Sequence, residues 1–170
     1  DKVCKAAEGK TVLEVARENG IDIPTLCYLK ECGNVGKCGV CAVEIEGKNN
    51  LALACLTKVE DGMVVRTDTE KVQERVKSRV STILNKHEFK CGPCPRRENC
   101  ELLKLVIKTK AKATTPFVVE NKEEYVDIRS KSITIDRSKC ILCGRCAAAC
   151  TEKTGTSSIK LVNVNGKRIV

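Results

Sequence analysis

The sequence predicts an α+β chain of 170 residues, divided into three small units that are each built round a group of cysteines. Three observations carry this expectation. Most of the 13 cysteines fall into three groups, each containing a C-x2-C step. The apolar pattern changes from short runs suited to strands before residue 67 to helical spacing after it. Aromatic residues are scarce, limited to Tyr28, Phe89, Phe117 and Tyr125 with no Trp. Small units with so little aromatic surface need some other staple.

The first unit is expected over residues 1–67. Val3 to Ala6 reads as a strand, Glu8-Gly9-Lys10 as a turn, and Thr11 with Glu14 as a capping box. The helix it opens, Val12 to Asn19, ends at Gly20. A glycine-rich loop runs from Cys27 to Gly39, followed by strands over Val40–Ile45, Leu51–Ala54 and Val64–Thr67. Strands round one helix, with a cysteine loop between them, predict a β-grasp unit.

Residues 68–115 read as a small helical unit. Val72, Val76, Val80 and Ile83 lie on one helix face, with Asp68 or Thr69 as its cap. A second helix, about Asn99 to Ala113, carries Leu102, Leu103, Val106 and Ile107. The stretch opening at Thr114-Thr115-Pro116 is rich in Lys and Glu and reads as a linker. The third unit, over 130–170, has a short strand at Ile133–Ile135, a cysteine group, and a hairpin turning at Asn165-Gly166. Both ends of the sequence read as cut through an element.

Composition excludes several functions. An odd number of cysteines in C-x2-C steps, without a secretory leader, argues against a disulfide framework. No stretch approaches the roughly 20 apolar residues of a membrane helix. A soluble protein of a reducing compartment, the cytoplasm, is expected. The formal charge of +9 counts every thiol as neutral. Metal binding removes those protons and brings the loaded chain to about +4. With few aromatics to stack on bases, nucleic acid is not an expected partner.

The first ligand group is Cys27-x10-Cys38-x2-Cys41-x13-Cys55. Four thiolates suffice for a 2Fe–2S cluster, and Gly33, Gly36 and Gly39 let a loop close round one. Cys32 competes with Cys38, but only Cys38 is followed by a cysteine at the x2 step; Cys4 and Cys32 are read as ordinary thiols. The second group is His87-x3-Cys91-x2-Cys94-x5-Cys100, which uses the single histidine. It suits a 4Fe–4S cluster with one His and three Cys ligands, and equally a zinc ion. The third, Cys140-x2-Cys143-x2-Cys146-x3-Cys150, matches the bacterial ferredoxin run, with Thr151 in place of the usual Pro. Redox-inert zinc would interrupt a series of such sites, so iron is preferred at the second group. In two-cluster ferredoxins the fourth cysteine of the run serves the other cluster, and the alanines after Cys146 favour a helix that carries Cys150 outward.

The order of the sites resembles the N-terminal region of clostridial monomeric FeFe hydrogenases. It resembles more loosely the large iron–sulfur subunit of NADH-quinone oxidoreductase. Two stretches carry the hydrogenase likeness: His87-Glu-Phe-Lys-Cys-Gly-Pro-Cys-Pro-Arg-Arg-Glu-Asn-Cys100 and Asp136-Arg-Ser-Lys-Cys-Ile-Leu-Cys-Gly-Arg-Cys146. The resemblance implies one 2Fe–2S cluster on Cys27, Cys38, Cys41 and Cys55, and a 4Fe–4S cluster on His87, Cys91, Cys94 and Cys100. One or two further 4Fe–4S clusters would be completed by residues beyond 170. The family's H-cluster belongs to a downstream catalytic domain whose cysteine motifs do not occur here. The expected role is an electron relay between a ferredoxin-like soluble carrier and that domain, non-catalytic by itself. The alternatives are a segment of an NADH-linked dehydrogenase complex and a zinc-stapled binding module.

Overall fold

The computed structural model describes residues 2–33 and 35–170, and its architecture mixes helices with small antiparallel sheets. Helix α1 spans Val12–Glu18. Its first turn is held by the capping box read from the sequence: Glu14 N donates to Thr11 Oγ1 at 3.3 Å, and Thr11 N donates to Glu14 Oε2 at 2.8 Å. The next amides of the helix also find acceptors, Val12 N on Thr57 O at 2.8 Å and Leu13 N on Ala54 O at 2.9 Å. Strand β1 (Ala42–Ile45) lies between β2 (Ala52–Leu53) and β3 (Val65–Arg66), antiparallel to both. The expected strand at Val3–Ala6 does not form. Among the described residues nothing pairs with it, and Val3 is 97% exposed.

Helix α2 (Glu70–Leu84) starts at Thr69, whose hydroxyl accepts from Val72 N. Its buried stripe is Val72, Val76, Val80 and Leu84; Ile83 is only half-buried, so Leu84 takes the innermost place the pattern gave to Ile83. Helix α3 (Glu101–Thr109) is shorter than expected because Lys110 turns left-handed at φ 52°. It buries Leu102 and Leu105, which lie one turn apart facing α2, while Ile107 points away and is 70% exposed.

Two cores result. One gathers α1 with Ile23, Tyr28, Cys41, Val43, Ile45, Ala54 and Cys55. The other joins the α2 stripe to Leu102 and Leu105 on one side and to Leu26, Cys27, Cys38 and Val40 on the other. The first two units therefore share a core.

The stretch after Thr114 packs back on the chain. Asn85 Nδ2 donates to Thr114 Oγ1 at 2.8 Å, and Asn85 Oδ1 accepts from the backbone of Thr114 and Thr115. Phe117 and Tyr125 meet edge-on at 5.6 Å between ring centroids. Strand β4 (Val126–Asp127) pairs with β5 (Ile135–Asp136), so a strand the sequence did not announce partners the one it did. Helix α4 (Arg145–Thr154) and the hairpin β6 (Val162–Val164) and β7 (Lys167–Ile169) complete the chain, with Asn165 and Gly166 both at positive φ.

Replacing Leu102 by Ala should lower stability by about 2–5 kcal/mol, the range for a buried leucine. Ile107→Ala, on the exposed face, should stay within about 0.5 kcal/mol. Denaturant midpoints of the two variants check this, and equal midpoints would refute the packing of α3 on α2.

Candidate iron–sulfur sites

Cys27, Cys38, Cys41 and Cys55 are all buried, each at 7% exposure or less. The loop places Cys27 and Cys38 in the α2 core, and β1 with its neighbour places Cys41 and Cys55 in the α1 core. Cys38 N points at Cys27 Sγ from 3.4 Å, and Cys41 Sγ lies 3.4 Å from Cys55 Sγ. The hydrogen bond from the Cys38 thiol, helped by backbone amides of Cys38, Lys37 and Gly36, pulls Cys27 down to about 5, while Cys38 is pushed up. In the same way the Cys55 thiol lowers Cys41 to about 7, and Cys55 rises. One sulfur of each pair is thus poised as thiolate, the form that binds metal. Glycine suits position 39: φ is +71°, where a side chain is strained, and a Cβ would press on Arg79 Nε at 2.9 Å. Arg79 in turn donates to Cys38 O at 3.1 Å and locks the loop to α2.

The second group lies between α2 and α3. Cys91, Cys94 and Cys100 are half-buried. Burial, then the charges of Cys100 and Cys94, raise Cys91, as expected of thiols that converge. Cys100 Sγ accepts from Leu103 N at 3.4 Å and so caps α3. His87 sits at the mouth of this loop. Burial first, and the charge of Lys139 second, lower its pKa and keep the imidazole neutral. Its Nδ1 is buried and, among the described residues, has no hydrogen-bond partner. A buried, unpartnered imidazole nitrogen four residues before Cys91 has the chemistry of a metal ligand awaiting its partner.

The residue after His87 was not flagged by sequence reasoning. Glu88 is buried, and its carboxylate meets Lys122 at 2.8 Å, Lys90 at 3.2 Å and Lys139 at 3.2 Å. Ser138, fully buried, donates from its hydroxyl to Glu88 Oε2 at 3.1 Å. The backbone joins too, with Glu88 N on Ser138 O at 2.8 Å and Lys139 Nζ on Glu88 O at 2.7 Å. Lys122 and its companions hold the Glu88 carboxyl down to about 2. Glu88 and Ser138 belong to the two stretches that carried the family resemblance, so the signal was present without its meaning. Arg79, on the polar face of α2, gave no signal.

The third group begins at Cys140, whose Sγ accepts from Leu142 N at 3.4 Å. Burial raises Cys140, offset by that amide and reinforced by the charges of Cys143 and Cys146. Cys146 and Cys150 are both on α4. Cys150 turns to other partners, accepting from Ile159 N at 3.4 Å and meeting Thr156 Oγ1 at 3.3 Å, and these contacts lower it to about 7. A cavity of about 280 Å³ is lined by Cys38, Cys140 and Cys143 together with Lys37, Arg79 and Arg168. Cys38 of the first group and Cys140 and Cys143 of the third thus face one basic space. Among the described residues no three His, Cys, Asp or Glu side chains gather tightly enough to hold a single metal ion.

Comparison with known proteins gives three family matches in chain order. Residues 1–70 match a 2Fe-2S iron-sulfur cluster binding domain, 71–111 the iron-sulfur centre-binding domain of the iron hydrogenase 1-like type, and 132–154 a 4Fe-4S binding domain. Iron hydrogenase 1 of Clostridium pasteurianum is 56% identical over 96% of this chain, which spans 28% of that protein. The gamma subunit of the NAD-reducing hydrogenase HoxS of Cupriavidus necator is 30% identical over 97% of this chain and 69% of its own length. One of the NADH-quinone oxidoreductase subunits of Rhizobium meliloti is 37% identical over 91% of this chain and 18% of its own. Among solved structures, a chain of an NAD+-reducing [NiFe]-hydrogenase superposes with a TM-score of 0.85 at 25% identity, covering 98% of this chain and 70% of that one.

Glu88→Ala should lower stability by about 1–3 kcal/mol, since it removes the carboxylate that the part-buried Lys139 ammonium meets and one of the two that Lys122 meets. Thermal or denaturant unfolding at neutral pH checks this. A variant as stable as the parent would mean that the network is incidental.

Proposed function

The chain belongs to the family of iron–sulfur electron-transfer segments shared by hydrogenases and NADH-linked oxidoreductases, and from that premise we propose that it serves an FeFe hydrogenase. In this reading it relays electrons in the cytoplasm between a ferredoxin-like soluble carrier and a hydrogen-forming domain outside these 170 residues. The observation that carries the reading is common to all three groups: a backbone amide is aimed at a ligand sulfur, from Cys38 N, Leu103 N and Leu142 N, each at 3.4 Å. Amides so placed neutralise part of the charge on a cluster and tune its potential. The 56% identity to an iron hydrogenase favours hydrogen chemistry over the alternatives.

We divide the chain into a β-grasp 2Fe–2S unit over 1–67, a helical unit over 68–115, and the first half of a two-cluster ferredoxin-like unit over 130–170. Cys27, Cys38, Cys41 and Cys55 hold a 2Fe–2S cluster, and His87, Cys91, Cys94 and Cys100 hold a 4Fe–4S cluster. Cys140, Cys143 and Cys146 hold a second 4Fe–4S cluster, and Cys150 serves a neighbouring one. Bound clusters supply one-electron redox chemistry at these places. The chain's own residues exclude water from the first, orient the imidazole at the second, and surround the third with fixed cations. A second reading, service to an NADH-linked complex, is favoured by the 0.85 TM-score to the NAD+-reducing hydrogenase chain. The catalytic partner that co-purifies with the chain separates the two readings.

Protein purified without oxygen should be brown and carry iron and acid-labile sulfide with little zinc. A colourless preparation with about one zinc per group would remove the redox reading altogether.

Single substitutions test the ligands. His87→Cys should keep the cluster and lower its potential, because a fourth thiolate adds negative charge, whereas His87→Ala should make it labile. Cys150→Ser should remove the neighbouring cluster and spare the one on Cys140. Redox titration with iron analysis reads these outcomes, and unchanged content and potentials in every variant would overturn the assignment.

A further inference from the structure

Arg145 stands between Cys143 and Cys146 at the first position of α4. Its Nε donates to Tyr28 O at 3.1 Å, across 117 residues of sequence, and Tyr28 follows Cys27. Its two terminal nitrogens fork onto the Glu101 carboxylate, Nη1 to Oε2 and Nη2 to Oε1 at 3.2 Å, and Glu101 follows Cys100. One guanidinium therefore binds a residue adjacent to a ligand in the first group and in the second, while lying inside the third. The Arg145 side chain is 26% exposed, so the contact is sheltered though not sealed.

From this geometry we propose that Arg145 is a positioning residue that locks the three ligand groups to one another and keeps a permanent cation among them. The proposal rests on the iron–sulfur reading above. Two physical facts give it content. A guanidinium cannot deprotonate in a protein, so its charge stays when the surrounding sites gain electrons. Its planar fork fixes direction as well as distance, which a lysine ammonium does not. Electron transfer between sites falls steeply with distance, so a clamp at their meeting point governs the rates between all of them. An ordinary surface ion pair would instead leave the redox sites untouched.

The test uses the cluster-loaded protein that carries this chain, with Arg145→Gln, Arg145→Lys and Glu101→Gln. Potentials of each cluster come from EPR-monitored redox titration, and spacing from the spin–spin broadening between reduced clusters. Iron and sulfide analysis confirms loading. Arg145→Gln should shift the clusters of all three groups to more negative potentials and weaken the broadening. Arg145→Lys should keep the potentials close to the parent while still weakening the broadening, because charge is retained and the fork is lost. Loaded Arg145→Gln protein with parental potentials and broadening would overturn the proposal, as would a shift confined to one cluster. If Arg145→Gln does not load, Glu101→Gln decides: weaker broadening between the second and third groups supports the clamp, and parental broadening overturns it. A parent protein without iron and sulfide would fail the iron–sulfur reading itself, which is a different result.

Discussion

The stripe of Val72, Val76, Val80 and Leu84 along α2 is the contact on which the remaining structure depends. On one side it receives Leu102 and Leu105, on the other Cys27, Cys38 and Val40. Neither neighbour could bury enough surface by itself, since a unit of this size leaves much of its apolar area in water. Sharing a helix solves the shortage, and buried thiols stand where aromatic rings would otherwise fill space. Arg79, on the same helix, ties the ligand loop to α2 by its backbone, so one element supplies both the apolar floor and the polar anchor.

Charge is organised with the same economy. A chain with a formal charge of +9 sets Lys37, Arg79 and Arg168 round the cavity that Cys38, Cys140 and Cys143 line. Glu88 is the counterpart, a buried anion held by three lysines, and its ties to Ser138 and Lys139 join the His87 loop to the loop that begins the third group. Buried charge of this kind is tolerated because each oxygen has partners, and removing one partner is more damaging than the whole is stabilising.

Local chemistry was legible in the sequence wherever a residue acts on its own neighbours. The capping box at Thr11, the cap at Thr69 and the turn at Asn165-Gly166 were all readable, because each is closed within four residues. Partnerships across the chain were not. Val3–Ala6 has the composition of a strand, but a strand exists only beside another. On α3 the pattern named Ile107 and passed over Leu105, since a single periodic stripe does not say which edge a neighbour will cover. The stretch after Thr114, rich in Lys and Glu, reads as a linker, yet Asn85 and Glu88 hold it down through Thr114 and Lys122. For the candidate sites, residue type and spacing proposed the ligands, whereas the contacts that hold the cysteine loops in place span 41 to 50 positions, and no local pattern pairs their two ends.

The split of the first cysteine group between two cores has a consequence for how the protein matures. Cys27 and Cys38 are set in one apolar cluster and Cys41 and Cys55 in the other, so the boundary between the clusters runs through the group itself. That boundary is a seam of paired sulfurs, Cys27 beside Cys38 and Cys41 beside Cys55. A group bridging the four sulfurs would weld the seam, so that loading the site and closing α2 over the loop would be coupled events. Delivery to sulfurs this deeply enclosed requires the seam to be open, before α2 has settled on the loop. The same closure then retains the cargo, because release would demand that two cores come apart together.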